Sequence, residues 1–500
     1  MSGVLLALLL LPLIGSIFTF AWKNNKFSND VALGFSIISM LLAFYALAYF
    51  NFNARIDLPM QYEINLPFSQ LINSRLHFGI DGLSMIMVIL TNILVPLIIL
   101  SSFNEKRCYS KNFYGLILLM QFGLLGVFTS LDGLVFYGFW EITLIPIWFI
   151  CGLWGQEDQK LKFTTKFFIF TFVGSLFMLA GLIFVYVHSN SFALVDLYSA
   201  NLSATEEVFV FWFIFAAFAV KFPIFPFHNW QADTYTYSPT QGSMLLSGIM
   251  AKMAVFGLLR YLLPITPHAI AGTSGGIVLM LCVFTVVFGG LVALIQNDSK
   301  RIIAYSSLSH IGLIAAGIFA SALLTLKGNF TIEGGEGAII QAFAHGINVV
   351  GLFYCADILF KKFKTRDIRQ MGGLASVAPK FAILFMVILF GSLGVPLTNG
   401  FIGEFILIKS IYDYSMILGI LSGLTMILAA GYLLRFYGKA MFGEGDKTIL
   451  SSVKDISGVE FSVLASLAVF VILLGIFPQP LLDMANSSLK LIYGSLIFLR

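Results

Sequence analysis

The chain has 500 residues, 59% of them hydrophobic, and only 29 Lys and Arg with 25 Asp and Glu, 11% in all. Soluble domains carry about 25% charged residues, so the composition excludes a water-soluble globule, and the apolar content excludes a disordered chain. The net charge of +4 comes without a basic cluster and gives no footing for nucleic acid. With 52 Phe and 45 Gly, suited to lipid-facing surface and close helix packing, the chain reads as an integral membrane protein, all-α.

About 20 apolar residues cross a bilayer core. Fourteen runs are predicted to do so. The first seven are Ser2–Ala21, Val31–Phe50, Gly82–Phe103, Phe113–Ser130, Gly133–Trp154, Phe167–His188 and Val208–Trp230. The others are Ser243–Leu263, Gly275–Gln296, Ile302–Ala320, Gly337–Phe360, Phe381–Tyr412, Ser415–Phe442 and Phe461–Leu482. The first run has no Lys or Arg ahead of it, so it reads as a retained span rather than a signal peptide. The tail Ala485–Arg500 alternates polar and apolar residues and reads as interfacial. Cys108, Cys151, Cys282 and Cys355 form no C-x-x-C pair, which argues against redox clusters and disulfides.

Cations in the loops orient the chain. With the N-terminus outside, 20 Lys and Arg fall in inner loops and 5 in outer segments. The inner set includes Lys23, Lys26, Lys106, Arg107, Lys160, Lys166, the topological pair Lys300-Arg301, Lys361, Arg366 and Lys380; the outer set is Arg55, Arg75, Lys327, Lys490 and Arg500. Both termini are then expected outside. Lys409 and Arg260 lie near run ends and read as anchors.

Two runs are expected to break. The seventh contains Pro223 and Pro226 between Lys221 and His228, and the twelfth contains Gly391, Gly394, Pro396, Asn399, Gly400 and Gly403 before Glu404. Proline removes a ladder hydrogen bond, and broken helices at membrane depth are tolerated only inside protein or along a cavity. Interrupted helices in matching places of two halves point to an inverted repeat with an ion pathway. Helices four to eight and nine to thirteen form two such five-helix units, with the broken helix fourth in each. Lys221 and Glu404 become counterparts, as do Glu141 and His310. The expected organisation is a three-helix segment at 1–112, half-channels at 113–263 and 273–442, and a C-terminal helix with its tail at 443–500.

Four ionisable residues lie deep in apolar runs: Glu141, Lys221, Lys252 and Glu404. Each costs about 2.5–3.5 kcal/mol at the membrane centre, so pairing, hydration or function must compensate. Burial moves Glu and Lys toward neutral pKa values, where a proton carrier is useful. The bland readings are a static Glu141–Lys221 ion pair and a Glu404 that caps backbone N–H groups freed by the glycine break. His310 and His345 read equally well as proton relays or as hydrogen-bonded core residues. His228 is placed at the mouth of the broken segment, and His77, His188 and His268 at interfaces or loops. No H-x-x-x-H or Cys/His cluster suggests a metal, and no phosphate-binding loop suggests a nucleotide. Asp81 and Asp132 precede helices and read as N-caps.

Several stretches resemble the antiporter-like membrane subunits of respiratory complex I, and among them the bacterial chain M type (mitochondrial chain 4). These are Phe136-Tyr-Gly-Phe-Trp-Glu141-Ile-Thr-Leu-Ile-Pro146, Val220-Lys-Phe-Pro-Ile-Phe-Pro-Phe-His228-Asn-Trp230, Leu246-Ser-Gly-Ile-Met-Ala-Lys252, Ile303-Ala-Tyr-Ser-Ser-Leu-Ser-His310, His345-Gly346 and Gly400-Phe-Ile-Gly-Glu404-Phe405. The resemblance implies a proton-translocating subunit of an NADH:quinone oxidoreductase in a bacterial inner membrane, beside other membrane-arm subunits. NADH, FMN, Fe–S clusters and quinone would reside in partner subunits, with no cofactor in this chain. It also implies roles: Glu141 and Lys221 as a coupled pair, Lys252, His310 and His345 as the central link, Glu404 as the terminal exchanging group. Glu at that last place fits chain M, where paralogues carry Lys. The family's Trp-Leu-Pro-Asp-Ala-His is here Trp230-Gln231-Ala232-Asp233-Thr234-Tyr235, so a role for its second histidine does not carry over. The family's Met after the tenth-helix histidine is Ile311. The alternatives are a subunit of a multi-subunit Na+/H+ antiporter or membrane-bound hydrogenase, and a scaffold with vestigial charges.

Overall fold

The computed structural model describes residues 2–21, 27–52, 60–103, 110–156 and 158–498. Lys23, Lys26, Arg55, Lys106, Arg107, Cys108 and Arg500 lie outside them. All fourteen apolar runs fall on helices. In chain order these are α1 (Ser2–Ala21) and α2 (Ser28–Ala48), a hairpin of β1 (Gln61–Ser69) and β2 (Ser74–Ile80), then α3 (Gly82–Leu100), α4 (Lys111–Thr129), α5 (Gly133–Trp154) and α6 (Lys160–Ser189). Next come α7 (Leu194–Tyr198), α8 (Ala204–Lys221), α9 (Gln231–Tyr237), α10 (Thr240–Ile265), α11 (Pro267–Ala271), α12 (Thr273–Ile295), α13 (Ser299–Leu326) and α14 (Glu333–Phe363). The chain continues through α15 (Pro379–Leu393), α16 (Asn399–Tyr414), α17 (Met416–Met441), α18 (Lys447–Ser452), α19 (Gly458–Ile476) and α20 (Gln479–Phe498). Among the described residues, 12 helices are long and apolar enough to cross a membrane.

Burial sorts these helices into centre and rim. The apolar window of α10 is 100% buried and those of α13 and α14 are 94% buried, whereas α1, α2, α6, α17 and α19 bury only 28–39% of theirs. The rim helices therefore leave most of their apolar side chains uncovered by the rest of the chain. The central ones form the interior, in which a buried charge depends on its protein neighbours.

The two runs with helix-breaking residues do break. After α8 the chain turns through Phe222–Trp230. Ile224 N–H donates to Ala219 O, and Trp230 Nε1 donates to Val220 O at 2.9 Å, so carbonyls freed by the prolines find partners. Phe225 N–H donates to Thr285 Oγ1 at 3.0 Å, which ties the break to α12. The second break separates α15 from α16. Gly394 takes φ +64°, and the Thr398 hydroxyl donates to Val395 O at 2.6 Å. Lys221 ends the first half of its broken helix, while Glu404 lies in the second half of its own. The two therefore approach their breaks from opposite sides.

The hairpin is an element the apolar pattern did not announce. Its strands pair antiparallel, with Asn65 opposite His77, and the register shifts between Gln61 and Ile64 and between Pro67 and Ser69. It is held across helix ends: the Tyr62 hydroxyl donates to Ala46 O at 2.8 Å, and the Ser74 hydroxyl and Arg75 N–H reach the Asp132 carboxylate. Asp132 also accepts from Leu134 and Val135 N–H, and Asp81 accepts from Ser84 N–H at 2.9 Å, so both act as N-caps.

The tail folds as α20. It lies against the first turn of α3, the end of α10, and α13 and α14, with Leu489, Ile492 and Tyr493 buried. Asn486 donates to Glu336 Oε1, and the Tyr493 hydroxyl to Ile318 O. Two cations differ from expectation. Arg260 is no surface anchor: it is 1% exposed and ion-paired with Asp81. Lys300 is 3% exposed rather than a loop charge, because its Nζ donates to Ser238 O at 2.9 Å. Lys409 does sit at the rim, with Glu333 at 2.6 Å and Asp413 at 3.0 Å. In the loop after α14, hydrogen bonds from Arg369 hold the Asp367 carboxyl below its usual range.

Candidate functional site

Four of the six expected residues form one continuous series. It starts on α10, which contains a π turn at Leu246–Met250. There the Ala251 N–H bonds Leu246 O instead of the Ser247 O an α-helix would use. The Ser247 carbonyl accepts from Lys252 Nζ at 2.6 Å, and Lys252 Nζ lies 2.8 Å from His345 Nδ1. Lys252 thus has two partners in a wall that is otherwise apolar.

Glycine brings the two helices that close. A Cβ on Gly346 would stand 2.9 Å from Gly248 O, and one on Gly248 would stand 2.6 Å from Val350 Cγ2. Only backbone fits at this crossing of α10 and α14, one turn from the lysine and next to the histidine. The His345 and His310 rings follow with centroids 5.9 Å apart and an interplanar angle of 53°. His310 Nδ1 lies 3.1 Å from Glu404 Oε1, within ion-pair distance but outside hydrogen-bond alignment.

Glu404 ends the series and is fully buried. Its Oε1 accepts from Gln341 Nε2 at 3.1 Å, and its Oε2 has no partner. A Cβ on Gly394 would fall 2.6 Å from that oxygen, so the second break sits directly against the carboxylate. No backbone N–H of the break is hydrogen-bonded to Glu404, which removes the reading of it as a cap. Gln341, His345 and Asn348 stand at i, i+4 and i+7 of α14, a polar stripe inside an apolar run. That spacing was available as a signal for Gln341, which the sequence reading passed over.

Glu141 and Lys221 stand apart from this series. Lys221 is buried at the end of α8, and its Nζ has no hydrogen-bond partner; it lies 5.2 Å from the Trp140 ring centroid. Glu141 is half-buried on α5, and its Oε1 is likewise unpartnered. They attract through space without closing a hydrogen-bonded ion pair. Between them and Lys252 lies aromatic packing: Trp140 on Phe218, and Phe218 against Gly257 of α10. His228 is in the first break, stacked on Phe225 and edge-on to Phe288. His188 and His268 pair with Glu206 and Glu207, and His77 with Glu63. Among the described residues no group of three His, Cys, Asp or Glu could hold a metal ion. Cys151, Cys282 and Cys355 are buried and free.

Residues 130–430, which hold all six positions, match the family model described as NADH:quinone oxidoreductase/Mrp antiporter, TM. NADH-quinone oxidoreductase subunit M of Rickettsia typhi is 34% identical over 470 residues, covering 94% of this chain and 92% of that protein. NADH-ubiquinone oxidoreductase chain 4 of Chondrus crispus is 33% identical over 476 residues, covering 95% and 94%. Among solved structures, a chain of respiratory complex I from Thermus thermophilus superposes with TM-score 0.88 at 29% identity, over 99% of this chain and 100% of that one. A chain of the Mrp complex from Dietzia shares the fold alone, with TM-score 0.84 at 18% identity over 98% and 97%. This multi-pass membrane chain belongs to the NADH:quinone oxidoreductase/Mrp antiporter family, on the branch of subunit M and chain 4.

Proposed function

We propose that this chain is the proton-translocating membrane-arm subunit of an NADH:quinone oxidoreductase, with Lys252, His345, His310 and Glu404 as its central proton path. The observation that carries this is their unbroken sequence of contacts, buried at every member. The Lys252–His345 contact is itself a transfer geometry. A protonated Lys252 donates to neutral Nδ1; when the proton crosses, an N–H bond breaks at Nζ and one forms at Nδ1, leaving a neutral amine. The imidazole then releases its other proton toward His310, and His310 passes one to Glu404 Oε1. The two unpartnered groups, Lys221 Nζ and Glu141 Oε1, form the gate. Drawing them together favours both charges, and parting them drives the lysine to lose its proton.

The electron-carrying cofactors, with NADH and quinone, belong to partner subunits, and this chain contributes none. The partners are the other membrane-arm subunits and the lipid bilayer. The membrane is a bacterial inner membrane, with both termini on the outer side, and the two broken helices complete fourteen crossings in two inverted five-helix units, 113–263 and 273–442. The test is Lys252→Met in the assembled complex, reconstituted in vesicles. Proton translocation coupled to quinone reduction is expected to fall by roughly a hundredfold, with the subunit still incorporated. Pumping at the wild-type rate would sink the reading.

A further inference from the structure

The seam between α10 and α14 continues past the lysine. The helices run antiparallel, and their contacts keep one register: Lys252 meets His345, Gly248 meets Val350, and the Thr240 hydroxyl donates to Asp357 Oδ1 at 2.6 Å. Thr240 is twelve residues before Lys252, and Asp357 twelve after His345, about 18 Å of helix on each side. Asp357 is 5% exposed. Its second oxygen lies 2.8 Å from Lys361 Nζ, whose side chain is 27% exposed. This carboxylate therefore links Lys361, whose stem is part-exposed while its Nζ is buried, to the first turn of the helix that carries Lys252. Lys300 pins the chain two residues before that turn through Ser238 O. Between Thr240 and Lys252, α10 offers the hydroxyls of Ser243 and Ser247.

We propose that Asp357 is the proton-loading group for Lys252. The inference rests on the reading of the chain as a proton translocator. When the part-exposed Lys361 stem swings aside, a hydronium gives its proton to the Asp357 carboxylate, leaving water; an O–H bond forms, and the lysine contact is lost. That O–H bond then breaks as the proton passes along water admitted when the α10–α14 seam opens, and an N–H bond forms on the neutral Lys252 amine. Only a proton moves, and no redox partner is required.

The competing role is structural, with Asp357 merely neutralising Lys361 and accepting from Thr240. Asp357→Asn keeps an acceptor for Thr240 and removes the titrating group. In the assembled complex in vesicles, it is expected to slow NADH-driven proton uptake by roughly tenfold. Azide, a small permeant acid, restores the rate, and Asp357→Glu retains it. A structural role predicts no rescue by azide. Wild-type pumping in Asp357→Asn, with pumping lost in Lys252→Met, overturns the loading role and leaves the translocator reading intact. Wild-type pumping in both overturns the translocator reading. If Asp357→Asn does not assemble, Thr240→Val, which keeps every charge, decides: slower uptake supports the proposal, and unchanged uptake overturns it.

Discussion

Asp81 and Arg260 place two opposite charges where neither side chain reaches solvent, and each carries a second duty. Asp81 caps α3, and the Arg260 carbonyl, within the second π turn of α10 (Leu258–Leu262), accepts from the Tyr198 hydroxyl at 2.5 Å. Removing one member of such a pair costs about 3–5 kcal/mol, because the other charge stays buried and uncompensated. Arg260→Met is therefore expected to lower the thermal midpoint and the amount of subunit in the complex. The double variant Asp81→Asn, Arg260→Met recovers much of both, since Asn still caps. A double variant no better than the single would contradict this. The cap was legible at Asp81, from an acid before an apolar run. The pairing was not: 179 residues separate the partners, and an arginine near a run end reads soundly as a snorkelling anchor. Lys300 misled in the same way, because only the fold shows that a neighbouring helix covers it.

At the scale of elements, the two breaks were readable because proline and glycine act locally on the backbone. How the breaks meet the charges was not readable. Glu404 and Gly394 touch only because α16 folds back on the end of α15. Gly394→Ala should therefore act twice. An L-residue in the left-handed region costs roughly 1–2 kcal/mol, and the added methyl lies 2.6 Å from Glu404 Oε2. Slowed proton translocation in assembled complex is expected, with Gly276→Ala, whose Cβ meets nothing within 4 Å, as the unaffected control. Equal rates in the two variants would remove the carboxylate contact from the path. The hairpin escaped notice for a complementary reason. Its register shifts and Pro67 interrupt the alternation that marks a strand, and its apolar side chains are too few to stand out among membrane runs.

For the molecule as a whole, the apolar runs and the uneven loop cations gave a topology that a labelling experiment can check. Cysteines at Lys327 and Lys380, both exposed, should react with a membrane-impermeant maleimide from the outer and inner sides respectively. In a Cys108→Ser background, the remaining native Cys151, Cys282 and Cys355 are buried and should stay silent. Reversed labelling would invert the orientation. Finally, α20 has a bearing on biogenesis. Leu83 N–H donates to Ser488 Oγ across 405 residues, and a Cβ on Gly82 would overlap Met484 O. The first turn of α3 is thus covered by a segment that leaves the ribosome long after α3 has inserted. Until then the Asp81 end of the bundle stays open, so a chain stalled before α20 would display an unfinished polar site for quality-control proteases to find.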